Sequence, residues 1–151
     1  MTKRPYDVEI RERFDLPQVA AEYVNRKNRL DNDRNRREMA CIEAALTGVQ
    51  PGSRVLDLPT GTGRLIPMLL RRGFEVIAAD YSEHMLGQAQ QYFSEGQSAL
   101  TDEELSRVSF VRQDIMAIDL PDLSVDLSIS NRLFHHYPTS ELRQRALMEL
   151  A

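Results

Sequence analysis

The sequence predicts an α/β fold, a mostly parallel sheet covered by helices on both faces. Three observations predict it. Short apolar, β-leaning runs at 55–58, 74–79, 108–112 and 125–130 alternate with segments of helical apolar period. The run 74–79 is largely apolar, as in a strand buried on both faces. A glycine-bearing loop, Pro59-Thr60-Gly61-Thr62-Gly63, joins the first run to an apolar helical pattern at Leu65, Ile66, Leu69 and Leu70. That strand–turn–helix unit brings backbone N–H groups close to a ligand. Parallel strands linked by right-handed crossovers place their ligands outside the carboxyl ends of the strands.

Composition narrows the class. A length of 151 residues suits one domain with a moderate core. Hydrophobic residues at 42% and charged residues at 28% read as a soluble globular chain. The net charge of -4 and a pI near 5.4 argue against non-specific nucleic-acid binding. Cys41 is the one cysteine, so the sequence offers neither a disulfide framework nor a cysteine-based zinc site. It lies in a helical pattern and is expected to be buried. The first seven residues lack the apolar core of a signal peptide, and no apolar run is long enough to span a membrane. A cytoplasmic location is the default expectation.

Taken in order, residues 1 to about 17 are charged, with scattered Tyr6 and Phe14 and a break at Pro17. A helix is predicted over 18–29, with Val19, Ala20, Tyr23 and Val24 on one face. Asp31, Asn32 and Asp33 supply polar breaking and capping residues. A second helix over 34–46 carries Met39, Ile42 and Leu46 at apolar spacing, and Gly48 suits its end. Its Arg34, Arg36 and Arg37 read as a solvated face rather than an anion site. Residues 1–48 thus form a helical cap ahead of a sheet domain at 49–151.

After the Pro51-Gly52 turn comes strand 55–58, then the glycine loop. If the next helix starts near Gly63 or Arg64, Pro67 falls in its first turn, where a missing N–H loses little. Arg71, Arg72 and Gly73 suit its end. Strand 74–79 ends at Asp80. Ser82 caps a helix with Met85, Leu86, Ala89 and Phe93 on one side. Residues 94–99 form a loop, and Thr101 to Glu104 fit a capping box for a short helix near 102–106. Strand 108–112 leads to Gln113 and Asp114. Strand 125–130 follows a turn at 120–122. A loop over 131–138 then reaches a last helix, capped by Thr139 or Ser140, with Leu142, Ala146 and Leu150 in register.

Four groups converge on the carboxyl edge of such a sheet: Asp57 with its glycine loop, Asp80, Asp114 and Asn131. The loop is neither the G-x-G-x-x-G fingerprint, because Ile66 stands at the third glycine, nor a P-loop, because no Gly-Lys follows. Asp57 through Gly63 instead resembles the first motif of class I S-adenosylmethionine-dependent methyltransferases, D-x-G-x-G-x-G, with Pro59 where the first glycine is usual. Residues 79–86 resemble the second motif, and 125–136 the fourth. The resemblance covers roughly 18–151. It implies a Rossmann-like three-layer sandwich with strand order 3-2-1-4 and the later strands missing.

The resemblance also implies roles. Asp80 would accept both ribose hydroxyls, and Asp114 the amino group of adenine. Asp57, Pro59, Thr60, Gly61, Thr62, Gly63, Tyr81, Met85, Ile115 and Asn131 would complete the site for S-adenosyl-L-methionine. Tyr23 would close over it from the cap, with core packing as its other reading. His135 or His136, after the fourth strand, could take a proton from an oxygen or nitrogen nucleophile, since histidine titrates near neutrality. The reaction expected is methyl transfer to a small-molecule acceptor, without a metal, nucleic acid or membrane. A nucleotide-cofactor oxidoreductase and a non-catalytic binding fragment are the alternatives. Resembling enzymes have seven strands and this sequence supplies four, so 125–130 would present an open edge, and the 151-residue chain would either self-associate through it or be only marginally stable.

Overall fold

The computed structural model describes residues 6–27 and 32–151. Its sheet has four parallel strands: β1 (Arg54–Asp57), β2 (Glu75–Asp80), β3 (Val108–Arg112) and β4 (Leu127–Ile129), in the order β3-β2-β1-β4. The helices are α1 (Tyr6–Phe14), α2 (Pro17–Lys27), α3 (Asp33–Ala45), α4 (Ile66–Arg71), α5 (Glu83–Ser94), α6 (Asp102–Leu105) and α7 (Ser140–Leu150). This is the Rossmann-like arrangement expected, with β1 central and its carboxyl end beside that of β2.

Local chemistry sets the boundaries. Side-chain oxygens of Asn32, Ser82 and Thr139 accept the N–H of Asn35, Met85 and Leu142, capping α3, α5 and α7. Thr101 and Glu104 form a full capping box on α6. Helix α4 has no side-chain cap, and Pro67 occupies its first turn. It begins later than Gly63 or Arg64, because Gly63 has φ +81 and belongs to the turn.

The strands alternate between two apolar clusters. Val55, Val76 and Ala78 face α4, Leu46 and Phe93 on one side. Leu56, Leu58 and Ala79 face Ile10, Ile115, Met116, Tyr137 and Ala146 on the other. Phe74, Ile66, Leu69 and Leu70 are fully buried, so the short α4 is held by packing rather than by its own length.

Several expectations are corrected. The charged N-terminal segment forms α1, whose Ile10 is 7% exposed, because residues 10 and 14 share a helical face that meets the core. Pro17 opens α2 rather than only breaking the chain, as proline does at a first helical position. Cys41 is exposed, since α3 packs through Met39 and Ile42 and the cysteine lies a residue off that stripe. Strand β4 is shorter than 125–130: its register with β1 runs from Val55↔Leu127 to Asp57↔Ile129, where β1 turns into the glycine loop. The loop over 131–138 contains a 3₁₀ turn, Phe134–His136. Residues 1–5, residues 28–29 of the helix expected over 18–29, and Asp31 as a breaking residue lie outside the described residues. Among the described residues, no helix is long and apolar enough to cross a membrane.

Candidate functional site

The glycine loop is fixed from below. Thr60 N–H donates to the Ala79 carbonyl at 2.7 Å, tying the loop to β2. The Thr60 hydroxyl donates to Asp57 Oδ2 at 2.8 Å. Gly61 N–H donates to Asp80 Oδ2 at 2.8 Å, and Ser82 N–H to Asp80 Oδ1 at 3.0 Å. Two strand-end carboxylates thereby organise the backbone that a ligand would meet. Leu58-Pro59 is a cis peptide.

The two glycines differ. Gly61 has φ +56, and a Cβ there would meet nothing within 4 Å, so its backbone opens onto free space. Gly63 faces the other way: its Cβ would lie 2.7 Å from Phe93 Cε2 and 3.0 Å from Ile66 Cδ1. Gly63 therefore lets α5 approach the loop and is not part of the pocket wall.

Above the loop lies a cavity of about 350 Å³. Asp57, Pro59, Thr60, Gly61, Thr62, Asp80, Tyr81, Met85, Asp114, Ile115, Asn131, Tyr23, His135 and His136 all reach its wall. Every site residue singled out in the sequence except Gly63 is thus brought together.

Asp57 and Asp80 are 1% and 6% exposed. Burial pushes the Asp57 carboxyl up to about 7, against the hydrogen bond from Thr60, with the charge of Asp80 pushing further. Burial also pushes Asp80 up to about 6, against the backbone hydrogen bonds from Ser82 and Gly61. Asp57 Oδ1 is buried with no hydrogen-bond partner among the described residues. A buried acceptor of that kind is completed by a donor from a ligand, an ion or a water. Burial, then the charges of His135 and Arg13, lowers the pKa of His136 and favours the neutral ring. His136 packs edge-on to Phe14 at 5.1 Å, and its ring lies 3.9 Å from that of His135.

Besides Leu58, Leu65, Gln113, Leu133 and Tyr137, reading the sequence missed two further sets of wall residues. Ile10, Arg11 and Phe14 come from α1. Arg11 is ion-paired with Asp114 across 103 residues, and Asp114 Oδ1 accepts Met116 N–H at 2.9 Å. The only available signal was the helical spacing of Ile10 and Phe14. Arg64 and Arg132 form the second set. Glu38 of α3 accepts Arg132 Nε at 2.9 Å and Arg64 Nη2 at 3.3 Å, which ties the cap to the glycine loop and to the turn after β4. Arg132 has φ +59, a conformation non-glycine residues rarely adopt. Its guanidinium pairing raises its own pKa and lowers that of Glu38. Arg34, Arg36 and Arg37 lie exposed on α3, with Arg36 paired to Asp33. No group of three or more potential metal ligands gathers among the described residues.

Residues 55–151 match the family described as "Methyltransferase domain". A segment of 77 residues, 51% of this chain, is 42% identical to YqeM of Bacillus subtilis, a candidate methyltransferase, and makes up 26% of that protein. The fold superposes on magnesium protoporphyrin IX methyltransferase from Synechocystis, solved with bound S-adenosylmethionine, with a TM-score of 0.71 and 22% identity. That match covers 99% of this chain and 72% of the other. It also superposes on a candidate S-adenosylmethionine-dependent methyltransferase of Methanococcus maripaludis, with a TM-score of 0.68, 17% identity, and coverage of 99% and 59%. The chain thus spans only part of the length of the relatives it matches.

Proposed function

The chain belongs to the methyltransferase-domain family, and from that premise we propose that it binds S-adenosyl-L-methionine and serves methyl transfer to a small-molecule acceptor. One observation carries this reading: Asp57, Asp80, Asp114 and the open backbone of Gly61 share one cavity at the carboxyl edge of the sheet.

The residues fit the cofactor. At Gly61 the side on which a Cβ would project is clear of protein atoms, as close ligand approach requires. The unpartnered buried Oδ1 of Asp57 suits a donor on a cation. In this reading Asp80, at the end of β2, accepts the ribose hydroxyls, and Asp114, after β3, the adenine amino group; both line the cavity, which supports it. When bound, the cofactor supplies an activated methyl group on a sulfonium. The protein's part is to align two reactants and exclude water. Leu58, Ile115 and Tyr137 give the cavity its dry floor. His135 and His136 both line the cavity, and in this reading one of them, with His136 favoured in its neutral form, accepts a proton from an acceptor hydroxyl or amine.

Residues 1–48 act as a cap over the sheet domain at 49–151 in this reading, with Tyr23 of α2 closing the cavity. Cys41 as the one cysteine suits a reducing compartment, and a cytoplasmic location is part of the same proposal.

Calorimetric titration with S-adenosylhomocysteine and with NADH tests the cofactor. Binding of the first alone is expected. Asp80→Ala should weaken it by at least about tenfold, the loss of charge-assisted hydrogen bonds worth roughly 1.5–3 kcal/mol each. Unchanged affinity in that variant would remove Asp80 from the site.

A further inference from the structure

We infer that α1 is a latch that fills the nucleoside end of the cavity from within: Arg11 stands where an adenine ring would bind, and the cofactor must displace it. The inference rests on the cofactor reading above.

Asp114 and Tyr81 mark that end of the cavity. Arg11 engages both. Its guanidinium donates to Asp114 Oδ2, in an ion pair whose side chains are only 18% and 22% exposed. Its Cζ lies 5.4 Å from the centre of the Tyr81 ring. A planar, nitrogen-rich group that donates to a carboxylate and faces an aromatic ring matches the recognition chemistry of an adenine amino edge. Asp114 Oδ1 already accepts Met116 N–H, so Oδ2 is the oxygen at issue. That oxygen could accept two donors, so the competition is for the space between Oδ2 and the Tyr81 ring, which the guanidinium takes.

The rest of α1 is placed to keep Arg11 there. Ile10 packs into the cluster with Leu58, Ile115 and Met116. Phe14 meets His136 in the turn after β4. Asp15, just past the helix, lies 4.0 Å from Arg112 at the end of β3. The helix and the residue after it therefore touch both the β3 and the β4 sides of the cavity. A site that is open only part of the time has its apparent affinity reduced by the open fraction.

Removing the latch should raise affinity. Arg11→Gln is expected to bind S-adenosylhomocysteine about fivefold more tightly, the scale of a partly exposed ion pair. Asp114→Ala should weaken binding, because it removes the acceptor that both occupants use. Amide hydrogen exchange over residues 6–14 should speed up when wild-type protein is saturated with S-adenosylhomocysteine. Unchanged or weaker binding by Arg11→Gln overturns the latch, as does increased protection of α1 by the ligand, which would make Arg11 a roof over bound adenine. If Asp80→Ala loses binding while Arg11→Gln is unchanged, the latch alone fails. A chain that binds no S-adenosylhomocysteine with or without Arg11 overturns the cofactor reading as well.

Discussion

Asp57 shows how one buried side chain couples site and stability. Its carboxyl is raised from 3.8 to about 7, and that of Asp80 to about 6, mainly by burial. From about pH 4 to 7 the folded chain holds protons that an unfolded chain has already released. Stability must therefore fall as pH rises through that window, because the charged carboxylates are the costly form in a dry site. Denaturant midpoints at pH 5.5 and 7.5 should show this fall in the unliganded protein, and Asp57→Asn should narrow it. An identical gap in wild type and variant would mean that Asp57 is ionised throughout. A cationic ligand reverses the preference, so S-adenosylmethionine affinity should rise over the same range. The three aspartates were legible in the sequence because each stands next to a strand end, a local feature. Arg11 was not, since its partner lies 103 residues away and only folding brings them together.

At the scale of elements, the glycine loop separates two roles that look alike on the page. Gly61 and Gly63 both have positive φ, yet only Gly63 has a neighbour in the way of a side chain. Gly63→Ala combines the left-handed penalty with a Cβ 2.7 Å from Phe93, and should cost about 2–4 kcal/mol of stability. Gly61→Ala carries the backbone penalty alone, about 1–2 kcal/mol, and should mainly harm cofactor binding. Paired thermal melts and titrations check this, and equal destabilisation by both would contradict the assignment. The sequence could place the loop but not divide the work, because Phe93 reaches Gly63 only after α5 folds back on β2 and β3. Capping residues had the opposite character. Ser82, Thr101 and Thr139 act on N–H groups three residues away, so those helix starts were readable. Helix α1 was not, because its sequence is mostly charged and its two apolar contacts are long-range.

For the whole molecule, the sheet order puts β4 at an edge, paired among the described residues with β1 alone. Its free side borders a groove lined by Leu127, Ser128, Phe134, Leu147 and Leu150, where Leu147 is 55% exposed. An edge strand with unpaired backbone groups beside apolar side chains is a template for pairing with another chain. The parallel pairing followed from the strand–helix alternation, and the strand order from the family resemblance. The shortness of β4 did not, since it depends on where β1 turns away. The 151-residue polypeptide is therefore expected to self-associate as concentration rises, through β4 of two copies. Sedimentation at several concentrations measures this directly. Leu147→Lys places a charge beside the edge at an exposed position, so it should shift the protein towards monomer while leaving its melting temperature and S-adenosylhomocysteine affinity near wild type. Concentration-independent monomer in the parent chain would show that three residues of edge, flanked by α7, are too little for pairing.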